Sequence, residues 1–168
     1  MAITTTSELQ RIAVRPSLTA RYFQIEGLAV SLLAKHGFTL LRLSIALCYI
    51  WFGALKLVPG ASPIEGFIFE AMGFLPLAFL YPLLAVWEIA VGVGFLTNKF
   101  PRVTIFLMLM QMGGAMSPLI LRPDLIFTTF PAYTLVGQYI VKDFILVAAA
   151  LVLFVGVRGG LTDGEKAR

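Results

Sequence analysis

The stretch LVGQYIVKDFILVAAALVLFVGV, residues 135–157, decides the architecture. It carries three strongly polar side chains, Gln138, Lys142 and Asp143, in 23 residues that are otherwise aliphatic, aromatic or glycine. A helix rises about 1.5 Å per residue, so a hydrocarbon core of about 30 Å takes about 20 residues to cross. The segment therefore predicts a membrane-spanning helix. A strand of a membrane barrel would alternate apolar and polar positions, whereas this run is continuously apolar. A helix also satisfies its own backbone polar groups where water is absent.

Three further segments share this character: residues 38–58, 76–96 and 103–121. The expected fold is all-α, a polytopic membrane protein built as a four-helix bundle. Local chemistry marks the boundaries. Val58-Pro59-Gly60 stops the first helix, and Pro76 opens the second where a missing N–H costs nothing. Residues 97–102 form a tight turn, Ser117-Pro118 and Arg122-Pro123 end the third helix, and Gly159-Gly160 follows the fourth. Pro82 should bend the second helix unless that helix begins there.

Composition agrees. Of 168 residues, 59% are hydrophobic and 13% charged, and the mean hydropathy is +0.91. Soluble domains average about 45–50% apolar and about 25% charged. Disorder, a disulfide scaffold and nucleic-acid binding are excluded as classes. The net charge of +4 fits basic loops beside apolar runs. One cysteine, Cys48, allows no intrachain disulfide. One histidine, His36, allows neither a bis-histidine haem nor a three-histidine metal site in one copy.

Residues 1–21 are polar, with Arg11, Arg15 and Arg21, and do not read as a signal peptide. Placing both termini on one side puts nine cations there: Arg11, Arg15, Arg21, Lys35, Lys99, Arg102, Arg158, Lys166 and Arg168. Only Arg122 faces them from the opposite loops. That bias predicts cytoplasmic N- and C-termini. The expected organisation is a cytoplasmic or interfacial arm over 1–37, a single transmembrane domain over 38–158 and a cytoplasmic tail over 159–168. Residues 20–35 read either as an amphipathic interfacial helix or as an extension of the first span. The loop 59–75, with Phe67, Ile68, Phe69, Met72 and Phe74, is too apolar to be free and predicts a short helix.

Charges within spans are costly, about 2.5–3.5 kcal/mol each at a helix centre. Arg42, Lys56, Glu88, Lys142 and Asp143 are therefore the candidate ligand-binding or buried-ion residues, with Gln111, Trp51 and Trp87 beside them. Arg42 and Lys56 lie near helix ends and could snorkel outward. The simplest pairing by depth joins Glu88 to Lys142 and Asp143 to Lys56. Such a set reads either as an interhelical ion network or as the polar lining of a ligand or proton site. Met108, Met112 and Met116 read as packing rather than as a copper site. Gly113-Gly114 reads as a close helix or partner contact. Cys48 reads as a small buried hydrophobe.

The motifs combine. The first helix carries Leu41-Arg42-Leu43-Ser44-Ile45 and Tyr49-Ile50-Trp51-Phe52-Gly53-Ala54-Leu55-Lys56; the second carries Trp87-Glu88-Ile89-Ala90-Val91-Gly92. The last part reads Phe127-Thr128-Thr129-Phe130-Pro131 and Gly137-Gln138-Tyr139-Ile140-Val141-Lys142-Asp143. Over about residues 38–157 this resembles the DoxX-like superfamily of four-helix bacterial membrane proteins. Within it, the chain is similar to the branch of the reactive-chlorine-resistance membrane protein. Gln138 stands where that branch has arginine.

The resemblance implies a redox-linked role in the bacterial cytoplasmic (inner) membrane, often inside a larger redox or respiratory complex. The superfamily is similar to the membrane subunit of thiosulfate:quinone oxidoreductase. The expectation is a small accessory subunit, not catalytic alone, with no covalent cofactor and with a quinone or lipid near the charge network. Membrane lipids, the larger complex and a second copy of the chain are the expected partners, and nucleic acid is not. A purely structural subunit and a small proton-coupled transporter remain alternatives.

Overall fold

The computed structural model describes residues 18–157. Arg11, Arg15, Arg158, Lys166 and Arg168, half of the charge-bias argument, lie outside the described residues, as does the 159–168 tail. By its internal contacts the chain divides into residues 1–37 and 38–168.

Helix α1 runs Leu18–Lys56 for 39 residues, α2 is Glu65–Ala71, α3 is Leu77–Thr97 and α4 is Pro101–Met116. Two single-turn helices follow, α5 at Pro118–Leu121 and α6 at Pro123–Ile126. Strands β1 (Phe127–Thr129) and β2 (Ala132–Tyr133) pair before α7, Leu135–Val157. Among the described residues, four helices are long and apolar enough to cross a membrane: Arg21–Lys56, Leu77–Thr97, Pro101–Leu121 and Leu135–Val157.

The first helix differs most from expectation. No proline interrupts residues 18–56, and the segment 20–35 continues α1 as one helix with the rest. The third span is interrupted where Pro118 cannot donate to the preceding turn. Ser117 Oγ instead donates to the Gly114 carbonyl at 2.7 Å. Helix α3 ends on Asn98 in the left-handed region, φ 54°, where a short amide side chain is tolerated. Pro101 then occupies the first turn of α4. Pro82 lies inside α3, which begins five residues earlier.

The short helix expected in 59–75 is present as α2. Gly60, at φ 73°, turns the chain before it and donates its N–H to Glu65 Oε2 at 2.8 Å. The β-hairpin was not expected in an all-α chain. Its ladder has only two paired positions, Phe127 with Tyr133 and Thr129 with Ala132, too few for a period-two pattern to be read. The Phe127 and Tyr133 rings, 4.9 Å apart, cover it.

The core of the 38–157 unit takes one stripe from each long helix. Ile45, Ala46 and Tyr49 of α1 meet Val91 and Phe95 of α3, Ile105, Met108 and Met112 of α4, and Ala150 and Leu153 of α7. Met108 and Met112 are thus packing residues. Large apolar side chains such as Phe79, Phe106 and Ile145 point out of the bundle. This is the reverse of a soluble fold and suits a lipid solvent. Cys48 also faces outward and is not a core residue.

Small residues set the closest approach. Gly53 and Ala46 are seven apart on α1, as are Gly92 and Ala85 on α3. A Cβ at Gly92 would lie 2.9 Å from the Ile50 nitrogen and 3.0 Å from the Ala46 carbonyl oxygen. A Cβ at Gly53 would lie 2.9 Å from the Ala85 carbonyl oxygen. Close approach of backbones through small residues is how helices associate where apolar burial gives no advantage. Gly113 and Gly114 have nothing within 4 Å of a built Cβ, so neither makes a helix contact within this unit.

Candidate functional site

The site grows from one directional rule. Every Cα–Cβ bond in a helix tilts toward that helix's N-terminus. Lys56, at the C-terminus of α1, therefore leans back along its own helix. Its Nζ lies 3.5 Å from the Phe52 carbonyl and donates to Glu88 Oε2 at 2.7 Å. Glu88, on antiparallel α3, leans up to meet it. The side chains are only 3% and 9% exposed. This corrects two expectations. Lys56 does not snorkel outward, and Glu88 pairs with Lys56 rather than with Lys142.

The second carboxylate oxygen is also engaged. Gln111 Nε2 on α4 donates to Glu88 Oε1 at 3.1 Å, and Gln111 Oε1 accepts from Tyr49 Oη at 2.8 Å. The amide must face this way, because a carboxylate only accepts. Tyr49 returns the chain of contacts to α1, seven residues before Lys56. Four side chains from three helices thus form one connected, desolvated network. Such networks are strong when complete and costly when broken.

Asp143 on α7 lies beside this network without joining it. It is half-buried and, among the described residues, forms no side-chain hydrogen bond or ion pair. It does interact electrostatically with Glu88 and Lys56. The expected Asp143–Lys56 salt bridge is not made, because Glu88 holds the ammonium. Lys142 follows the rule in the other direction. It leans toward the α7 N-terminus, is exposed, and sits 5.2 Å over the Tyr139 ring. A cation over a tyrosine face is attracted by the ring quadrupole.

Arg42 is neither in the network nor free. Its Nη1 donates to the Phe95 carbonyl at 2.6 Å and the Leu96 carbonyl at 3.2 Å. These are last-turn carbonyls of α3, which lack intrahelical partners, so Arg42 caps the negative end of that helix. Trp87 is half-buried and donates Nε1 to the Leu107 carbonyl at 3.3 Å. Trp51 is 63% exposed and faces out of the bundle.

Two depressions lie at opposite ends of the unit. One of about 440 Å³ is lined by Glu70, Ala71, Gly73, Phe74, Leu121 and Arg122. The other, of about 290 Å³, is lined by Lys99, Phe100, Pro101, Arg102, Val103 and Val157. Neither is lined by a network residue. Among the described residues, no group of three or more His, Cys, Asp or Glu is placed to hold a metal.

No family model, curated protein or solved structure matches the chain. The network therefore has to be read from its own chemistry. Tyr49 is the member that sequence reasoning missed. Its place two turns before Lys56 on the same face was the available signal.

Proposed function

We propose that this chain is a small multi-pass subunit of a redox-linked complex in the bacterial cytoplasmic membrane, with both termini cytoplasmic and a kinship to DoxX-like proteins. In this reading Asp143 and Lys142 present the polar contact for a quinone or lipid headgroup. Asp143 is the observation that carries it. An ionisable group within a span is a functional site by default, and this one keeps its hydrogen-bonding capacity while Glu88 beside it is engaged at both oxygens.

The residues present suit such a ligand. A quinone carbonyl accepts hydrogen bonds, and Lys142 Nζ is an exposed donor; the Asp143 carboxylate is an acceptor and suits the hydroxyl of the reduced quinol. Phe144 and Ile145, exposed next to Asp143, offer an apolar surface for a tail. In this reading the chain binds and orients, and the electrons pass through a partner protein.

Gentle extraction followed by native mass spectrometry tests this. The expected result is co-purification with cofactor-bearing subunits and an added quinone mass that Asp143→Leu removes while the assembly persists. Emergence alone, or only with copies of itself and phospholipid, overturns the reading.

The completeness of the Lys56–Glu88–Gln111–Tyr49 network favours a second reading, in which the charges serve structure alone. Replacing both Lys56 and Glu88 by apolar residues of similar size would then leave the function of the complex intact.

A further inference from the structure

We propose that the depression formed by the α3–α4 turn and the end of α7 is a binding site for an anionic phospholipid. Three observations meet there. The depression, about 290 Å³, is lined by two cations, Lys99 and Arg102, and by the apolar Phe100, Val103 and Val157. Both cations are exposed and form no ion pair among the described residues. Phe100 is 72% exposed, an aromatic ring with no core role.

The position selects the ligand. Lys99 and Arg102 sit in the short link between two helices long enough to cross a membrane, and Val157 ends a third. In a bilayer that link lies at the level of the headgroups. The proposal rests on the reading of these helices as membrane spans. Two positive side chains then face the phosphate layer, while Val103 and Val157 continue the apolar wall inward from it. Phe100 is an interfacial aromatic of the kind that anchors at this depth.

Charge complementarity fixes the headgroup as anionic. Lys99 and Arg102 line the depression and are the groups that take the phosphate, whereas Arg42 on α1 is held by the Phe95 and Leu96 carbonyls. The first turn of α4 adds to the same potential. Its N-cap residue, Phe100, supplies no side-chain acceptor, and the positive end of the helix macrodipole is left facing the site. A free phosphate shares the headgroup chemistry, but the apolar wall favours the lipid, which fills both halves of the depression.

The test uses the full chain reconstituted in vesicles of phosphatidylcholine with increasing phosphatidylglycerol, then released for native mass spectrometry of retained lipid. Near a membrane surface each cation contributes roughly a fivefold gain in affinity for anionic lipid. The wild-type chain should retain phosphatidylglycerol in preference to phosphatidylcholine. The double variant Lys99→Gln/Arg102→Gln should lose about 30-fold of that preference, while Arg21→Gln/Lys35→Gln, an equal charge change on another segment, should not.

Equal retention by the double variant overturns the proposal, as does displacement of the lipid by inorganic phosphate alone. Flotation of the wild-type chain with the vesicles separates the two readings. A wild-type chain that floats but shows no preference for phosphatidylglycerol refutes the site and keeps the spans. A wild-type chain that fails to float refutes the spans themselves.

Discussion

Lys56 Nζ and Glu88 Oε2 lie 2.7 Å apart across 32 residues of sequence. The ammonium comes from the last residue of its helix and the carboxylate from the middle of an antiparallel one. They meet because each side chain leans toward its own N-terminus, and on antiparallel helices those leanings converge.

Glu88→Gln should therefore be severe. It leaves a buried ammonium without its counter-charge, a change that costs about 3–5 kcal/mol. The thermal unfolding transition in detergent should fall sharply or lose cooperativity. The double change Lys56→Met/Glu88→Leu should recover most of the loss, because no unpaired charge remains. A Glu88→Gln chain that melts like the wild type would contradict the pairing.

Gly92→Ala is the matching steric test. The new methyl would meet the Ile50 nitrogen at 2.9 Å and the Ala46 carbonyl at 3.0 Å, and backbone atoms do not yield. Overpacking of this kind costs about 1–3 kcal/mol. Gly113→Ala and Gly114→Ala, with open space around them, should hold or raise the melting point of the isolated chain, because alanine is the better helix former. A lowered melting point for the latter pair would show a contact that this fold does not contain.

Arg42→Leu should uncover the Phe95 and Leu96 carbonyls at the end of α3. Hydrogen bonds from a charged donor are worth about 1.5–3 kcal/mol, and amide exchange in the last turn of α3 should accelerate. Arg42→Lys keeps the charge but not the two-carbonyl reach, and should fall between. Equal exchange in all three chains would remove Arg42 from its capping role.

The loop after α5 should respond to acid. Arg122 donates to both oxygens of Asp124 and to the Glu70 carbonyl. That hydrogen bonding holds the Asp124 carboxyl below its ordinary value of 3.8. A carboxyl depressed in the folded state stabilises above its unfolded pKa, and the contribution fades as pH falls through the folded value. Protection of the amides of residues 122 and 124–126 should therefore hold to about pH 4 and drop below it. Asp124→Asn should abolish that step, and its persistence in the variant would assign it to another group.

The spans were legible because length and continuous apolarity are all that crossing a membrane requires. Residues 135–157 come out with identical limits in sequence and structure. Which face points inward was not legible. In a chain whose solvent can be lipid, an outward residue is as apolar as an inward one, and Cys48 was misplaced for that reason. The inward stripe is written instead in small and polar residues, Ala46, Gly53 and Lys56 against Ala85, Glu88 and Gly92. The charged residues were identified by type, but their partners were assigned from Cα depth alone. Depth places Lys142 beside Glu88, whereas side-chain direction carries it away. The hairpin was invisible because its two-position ladder has no period.

The notch at Gly53 and the charge at Glu88 occupy one point of contact. A Cβ at residue 53 would lie 3.0 Å from the Cβ of Glu88, in the gap that Lys56 spans three residues later. A side chain there would wedge the two backbones apart at the very level where acid and base clasp. The smallest alteration available, one methyl at a neutral position, should thus produce the phenotype of a charge mutation.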